Sequence, residues 1–140
     1  MRINIIKFSI LLAVISVLLI SCGSKKTITA PKASGQITVK NESGIPILIE
    51  KYKHTRGDQS KSREINLQLR YHGSRYTFTN LIDGVNTKYF RGGDKVVIQY
   101  EALEDQPGNP GVPLFSGSFN VEINGNASFK FTSGGNIQEQ

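Results

Sequence analysis

The stretch "EINLQLRY", residues 64–71, alternates apolar and polar side chains along its length. Ile65, Leu67, Leu69 and Tyr71 fall on one face, and Asn66, Gln68 and Arg70 on the other. A period of two is the signature of a strand with one face in the core and one in water. The same period recurs on both sides of it. Upstream, "QITVKN" places Ile37 and Val39 inward, and "SGIPILIEKY" does so for Ile45, Ile47 and Ile49. Pro46, early in that run, marks a strand start or an edge. Downstream, the inward sets are Tyr76 and Phe78; Val96, Ile98 and Tyr100; Phe115, Phe119, Val121 and Ile123; and Ala127, Phe129 and Phe131. No stretch beyond Gly35 carries a helical period.

The connections have turn chemistry. Asn124-Gly125 between two alternating runs is the strongest short-range hairpin signal. His72-Gly73-Ser74 reads as a hairpin tip, Asp83-Gly84 as a turn, and Gly92-Gly93 as a break before "DKVVIQY". "EDQPGNPGVP", residues 104–113, is a longer loop with three of the five prolines. Seven or eight short strands at close spacing predict an all-β fold, a single small β-sandwich over residues 36–133. A small β-barrel is the alternative. Polar residues 134–140 predict a disordered tail.

The N-terminal segment has a different character. Arg2 and Lys7 precede an apolar run from Phe8 to Ile20, interrupted only by Ser9 and Ser16. A bilayer crossing needs about 20 apolar residues, whereas a signal-peptide core needs about 7–15. The chain's one cysteine, Cys22, follows directly after Leu19-Ile20-Ser21. These four residues resemble the lipobox of bacterial lipoproteins. The resemblance implies a signal peptide over 1–21, cleavage before Cys22, and a diacylglycerol thioether plus acyl (palmitate) chains on Cys22. No other cofactor is expected. It further implies a lipid-anchored protein of the cell envelope. Gly23-Ser24 lacks the Asp that retains some lipoproteins in the inner membrane, and no acidic run follows Cys22. By that analogy the address is the outer membrane, facing the periplasm. With Cys22 lipidated, no thiol is left for an intramolecular disulfide, so the core alone must hold the domain.

Residues 22–35 then read as the lipidated cysteine and a flexible polar tether, reaching up to about 45 Å when extended. Cleavage would remove Arg2 and Lys7 from the 17 basic residues, leaving 15 against 11 acids. This modest basic balance favours anionic surfaces. Two further patterns bear on architecture. "ITVKNESGIPI" resembles the first strand and turn of transthyretin-like domains, and "FRGGDKVVIQYEA" resembles the corner and late strand of many Greek-key sandwiches; together they look like immunoglobulin-like or transthyretin-like sandwiches. Both imply a sandwich and no particular activity.

Chemistry-bearing motifs are scarce. His54, in a charged loop, and His72 have no metal-ligand spacing around them. No G-x-S-x-G or paired nucleophile and base is visible, so no enzyme is expected. Arg56-Gly57-Asp58 spells a tripeptide with an ordinary turn explanation. Tyr52 and Tyr89 are left over from the core register as exposed aromatics. The densest charged stretch is "KYKHTRGDQSKSR", residues 51–63. Its Lys51, Lys53, Arg56, Lys61 and Arg63, with Arg70 and Arg75 beyond it, form a candidate partner-binding set. Residues 101–140 are acidic by contrast, giving a basic end and an acidic end.

The expected function is that of a non-enzymatic structural or interaction subunit, an accessory component of an envelope assembly or secretion machine. Its partners would be the membrane, through the lipid anchor, and another envelope protein or an anionic envelope component, with no nucleic acid. The alternative is a binding module for a glycan, a peptide or a toxin, as in inhibitor or immunity lipoproteins.

Overall fold

In a computed structural model of the chain, residues 29–70, 72–83, 87–106 and 111–140 are described. The chain divides into two units, Met1–Ala30 and Pro31–Gln140, and the β-structure lies in the second. The lipobox Leu19-Ile20-Ser21, Cys22, Tyr71, Gly84 and the centre of the 104–113 loop lie outside the described residues.

The strands are β1 (Ile37–Asn41), β2 (Ile47–Arg56), β3 (Gln59–Leu69), β4 (Arg75–Thr77), β5 (Lys95–Leu103), β6 (Pro113–Glu122), β7 (Ala127–Phe131) and β8 (Ile137–Glu139). They form two four-stranded sheets, ordered β4-β1-β7-β8 and β3-β2-β5-β6. The fold is thus an all-β sandwich and not a closed barrel. Every pairing is antiparallel except β1 with β7.

The alternation in "EINLQLRY" does what its pattern implies. Leu69 and Leu67 stand opposite Ile47 and Ile49. Leu69 is buried, and Ile65 and Leu67 pack partly buried against the core. The rest of the core comes from the inward residues of both sheets: Ile37, Val39, Val96, Ile98, Val121, Ile123 and Phe131 among them. Aromatic rings knit the layers edge to face, with centroids 5.1 Å apart for Tyr52–Phe78 and 4.8 Å for Tyr100–Phe131. Such contacts add about 0.5–1.5 kcal/mol each beyond the area they bury.

One irregularity controls the site described below. Opposite β5, the register slips between Ile49 and Lys51, so Glu50 is an extra residue. Opposite β2, strand β3 answers with Ile65 and Asn66, and Asn66 takes φ +48°. A bulge of this kind reverses which residues of a strand face inward. Before it, Ile47 and Ile49 are buried; after it, Tyr52 and His54 are.

Three expectations are corrected. Asn124-Gly125 does not close a hairpin, because β6 and β7 belong to different sheets. It turns a corner between them and is held by the N-terminal segment: Gly125 N–H donates to the Ala33 carbonyl (2.8 Å), and the Asn124 side chain accepts from Ala33 N–H (3.2 Å). His72-Gly73-Ser74 likewise crosses from β3 to β4 in the other sheet and is no hairpin tip. The 134–140 tail is ordered. A 3₁₀ turn at Ser133–Gly135 folds it back so that β8 pairs with β7, Ile137 opposite Phe131.

The C-terminal part of the expected 22–35 tether is held by the fold. Lys32 ion-pairs with Glu122, and Gly35 exchanges both backbone hydrogen bonds with Phe90. Residues 32–35 of that stretch therefore belong to the sandwich. At Gly35 the backbone passes so close to the Gly125 carbonyl that a Cβ would overlap it. Backbone meeting backbone cannot be relieved by a rotamer change. Gly35→Ala is therefore expected to cost about 3 kcal/mol in a denaturant melt. A loss below about 0.5 kcal/mol would show that the N-terminal segment peels away freely.

Candidate functional site

The basic stretch is a hairpin, not a loop. Arg56 stands opposite Gln59, and Gly57-Asp58 is the two-residue turn. Its two strands continue into the sheet, so the candidate cations are held on rigid backbone and sorted by face. Lys51 and Lys53 stand opposite Gln99 and Val97 of β5, and Glu64 and Ser62 of β3, on the outer face. With Gln99, Val97 and Ser62 they line a shallow depression of about 240 Å³. Lys61 and Arg63 stand opposite His54 and Tyr52, on the inner side, yet both are exposed. Among the described residues, none of Lys51, Lys53, Lys61 and Arg63 is in a salt bridge.

The other three candidates do not join them. Arg70 lies past the far end of β3 and binds Gln68 Oε1 (2.6 Å). Arg75 lies on β4 in the other sheet, opposite Lys40. Arg56 is not a free cation at all. Its guanidinium forks onto two carboxylates: Nε and Nη2 donate to Asp94 (2.7 and 2.8 Å), and Nη1 and Nη2 to Asp83 (2.6 and 3.1 Å). The Arg56-Gly57-Asp58 tripeptide therefore presents no free arginine.

His54 sits beneath that fork, fully buried, with its ring edge-on to Phe90 at 4.9 Å. Nδ1 accepts from Leu81 N–H (3.2 Å), which places the proton on Nε2, and Nε2 donates to Asp94 (2.8 Å). Asp94 is 1 % exposed and also accepts from Arg91 N–H (3.0 Å). Asn80, buried as well, donates to Asp83 (2.8 Å) and the Tyr89 carbonyl (2.9 Å) while accepting from Ile82 and Asp83 N–H. The result is a closed polar cluster joining β2, the 80–83 turn and the start of β5.

The electrostatics follow from the contacts. Burial pushes the His54 imidazole below its ordinary range, so it is neutral at pH 7 even though Asp94 pulls the other way. For Asp94, burial alone would raise the pKa, but donation from Arg56 and His54 prevails and holds it low. Arg56 lowers Asp83 too, and both carboxylates raise Arg56. A general base needs a lone pair aimed at a substrate proton. Here Nδ1 is taken by a backbone amide and Nε2 carries the donated proton, so His54 acts as a staple.

Neither His54 nor Asp94 was legible as a partner of the other from sequence. The bulge at Glu50 hid the first, and 40 residues separate the pair. Tyr52 is corrected for the same reason: it is buried, with its hydroxyl donating to the Thr79 carbonyl (2.7 Å). Tyr89, at 60 % exposure, keeps the role of exposed aromatic. Among the described residues, no three His, Cys, Asp or Glu side chains converge as a metal site would require.

No family model matches the chain, and no curated protein does. Solved structures with a related course of chain include a disulfide-locked mutant of intermedilysin with human CD59 (12% identity, TM-score 0.44, 78% of this chain) and the human-specific toxin intermedilysin (12%, 0.44, 76%). The chain spans about a quarter of the length of those toxins, 24% and 23%. At such values the likeness carries no functional argument.

Proposed function

We propose that this chain is a lipid-anchored envelope protein that serves as a non-enzymatic interaction subunit, docking an acidic partner protein of an envelope assembly on the β2–β3 hairpin. Cys22 supplies the anchor, residues 23–31 the spacer, and the sandwich the docking platform, at the outer membrane on its periplasmic side. The observation that carries the docking surface is the set of four cations, Lys51, Lys53, Lys61 and Arg63, exposed on rigid strands and, among the described residues, in no salt bridge. Exposed cations on both faces of one hairpin steer an anionic partner to its tip and flanks.

The competing reading, a binding module for a glycan, peptide or toxin, would draw on Tyr52 and Tyr89 as exposed aromatics, and Tyr52 is buried.

Reversing all four charges to Glu in the intact chain is expected to lower recovery of its co-purifying envelope proteins about tenfold. Raising salt should have a similar effect on the parent chain, since exposed charge pairs are screened. Thermal stability should move by only a few degrees, because the four side chains are exposed. Equal recovery by the variant and the parent in low salt would reject the docking surface.

A further inference from the structure

A sandwich of two open sheets has four edge strands, and edges with free N–H and C=O groups invite another strand. Among the described residues, three of these edges are blunted. β4 and β8 are three residues long each. β3 carries Lys61, Arg63 and Glu64, and it is bent at Asn66. The fourth, β6, is different. It is ten residues long and carries no charge from Pro113 to Val121. Leu114 and Phe115 are 55% and 38% exposed on it, and Val112 beside it is 56% exposed.

The centre of β6 is also self-complementary. Phe115-Ser116-Gly117-Ser118-Phe119 reads the same in both directions about Gly117. We infer that β6 pairs antiparallel with β6 of a second copy of this chain, about a two-fold axis at Gly117, so that two four-stranded sheets become one continuous eight-stranded sheet. In that register Phe115 stands opposite the second copy's Phe119, and Ser116 opposite its Ser118. A two-fold interface requires this self-matching of one patch.

Each feature of the strand fits the pairing. Phe115 and Phe119 lie on the core side, opposite Ala102 and Ile98 of β5. Cross-strand aromatic pairs and Ser–Ser pairs are both favourable in antiparallel ladders. The palindrome puts two of each across the axis and brings no like charges together. Gly117 faces Tyr100, whose ring would lie 2.6 Å from a Cβ placed there. That lets the tyrosine close over the axis. The regular run ends where the dimer ladder should: Leu114 is a bulge between Phe115 and Pro113, and Pro113 has no N–H to give. An unrelated extended peptide would use the same edge but gains nothing from the palindrome.

Register and occupant are tested together by two double variants of the full chain, studied by sedimentation velocity beside the parent. In Ser116→Lys/Ser118→Glu, each Lys meets the second copy's Glu, and dimers should form as in the parent. In Ser116→Lys/Ser118→Lys, each Lys meets a Lys, and the dissociation constant should rise about tenfold or more. Ser116 and Ser118 are both exposed, so melting temperatures check that the monomer fold is intact. A monomeric parent would overturn the inference. So would equal dimerisation of the two variants, which would show that another surface or register holds the copies together.

Discussion

Asp94→Ala is expected to destabilise the domain by about 3–5 kcal/mol, the loss usual when one member of a buried ion pair is removed. Four donors converge on that carboxylate: His54 Nε2, two nitrogens of Arg56, and Arg91 N–H. Alanine leaves the fully buried His54 with an unmatched N–H, and leaves Arg56 with only Asp83. It also cuts the link between β2 and the turn that starts β5. For a domain of this size the melting temperature should fall by roughly 10–20 °C. Differential scanning calorimetry decides the matter: a fall under about 3 °C would mean that the cluster is ornamental to stability.

The same cluster sets a pH dependence whose sign can be worked out. The His54 pKa is lower in the fold than in the unfolded chain, so below about pH 6.5 the unfolded state takes up a proton that the fold refuses. Stability contributed by neutral His54 is full above that pH and is lost as pH falls toward the folded value. Asp94 and Asp83 are also depressed. Their contribution is full above the unfolded carboxylate value of about 4 and is lost as pH falls through their folded values. The parent should therefore weaken in two descents, one beginning near neutrality and one in strong acid. His54→Gln should abolish the first and keep the second. A parent melting temperature flat between pH 7 and pH 5 would contradict the burial of a neutral histidine.

How far the sequence discloses this molecule depends on the range of each interaction. Ile65, Leu67 and Leu69 announce a strand because the partner of each is simply the inside, whatever supplies it. Phe78, Ile98, Val121 and Phe131 are readable as core for the same reason. What fails to show is anything that depends on a specific distant partner. The extra residue at Glu50 flips the inward face, so Tyr52 and His54 look exposed to anyone counting by twos. Asn124-Gly125 has the local chemistry of a hairpin, yet the backbone groups around it go to Ala33 and Gln36, some 90 residues earlier. A turn dipeptide fixes a reversal, and long-range pairing decides which sheet the chain enters next. The cations of residues 51–63 were legible as a cluster, but only the fold separates Arg56, neutralised by Asp83 and Asp94, from the four that enter no salt bridge among the described residues. Charge density along a sequence is a count, whereas a docking surface depends on which charges find partners.

Cys22→Ser should move the chain completely from the membrane fraction to the soluble fraction without unfolding it. The first half of that expectation rests on Leu19-Ile20-Ser21-Cys22 directing lipidation. Each buried CH₂ contributes about 0.8 kcal/mol, so one acyl chain holds weakly, and two or three hold firmly. Without them, Lys25 and Lys26 offer at most about 1 kcal/mol each against anionic headgroups, too little for anchorage. The second half rests on where the fold begins. Among the described residues, Lys32 is the first whose side chain is tied to the sandwich, through Glu122, and Ala33 the first whose backbone is held by another segment through both its N–H and its C=O, at Asn124-Gly125. A change ten residues earlier should leave the melting temperature within a degree or so. Fractionation and calorimetry separate the two halves. Retention of the variant on membranes would refute the anchor, and a soluble but unfolded variant would refute the independence of the domain from its tether.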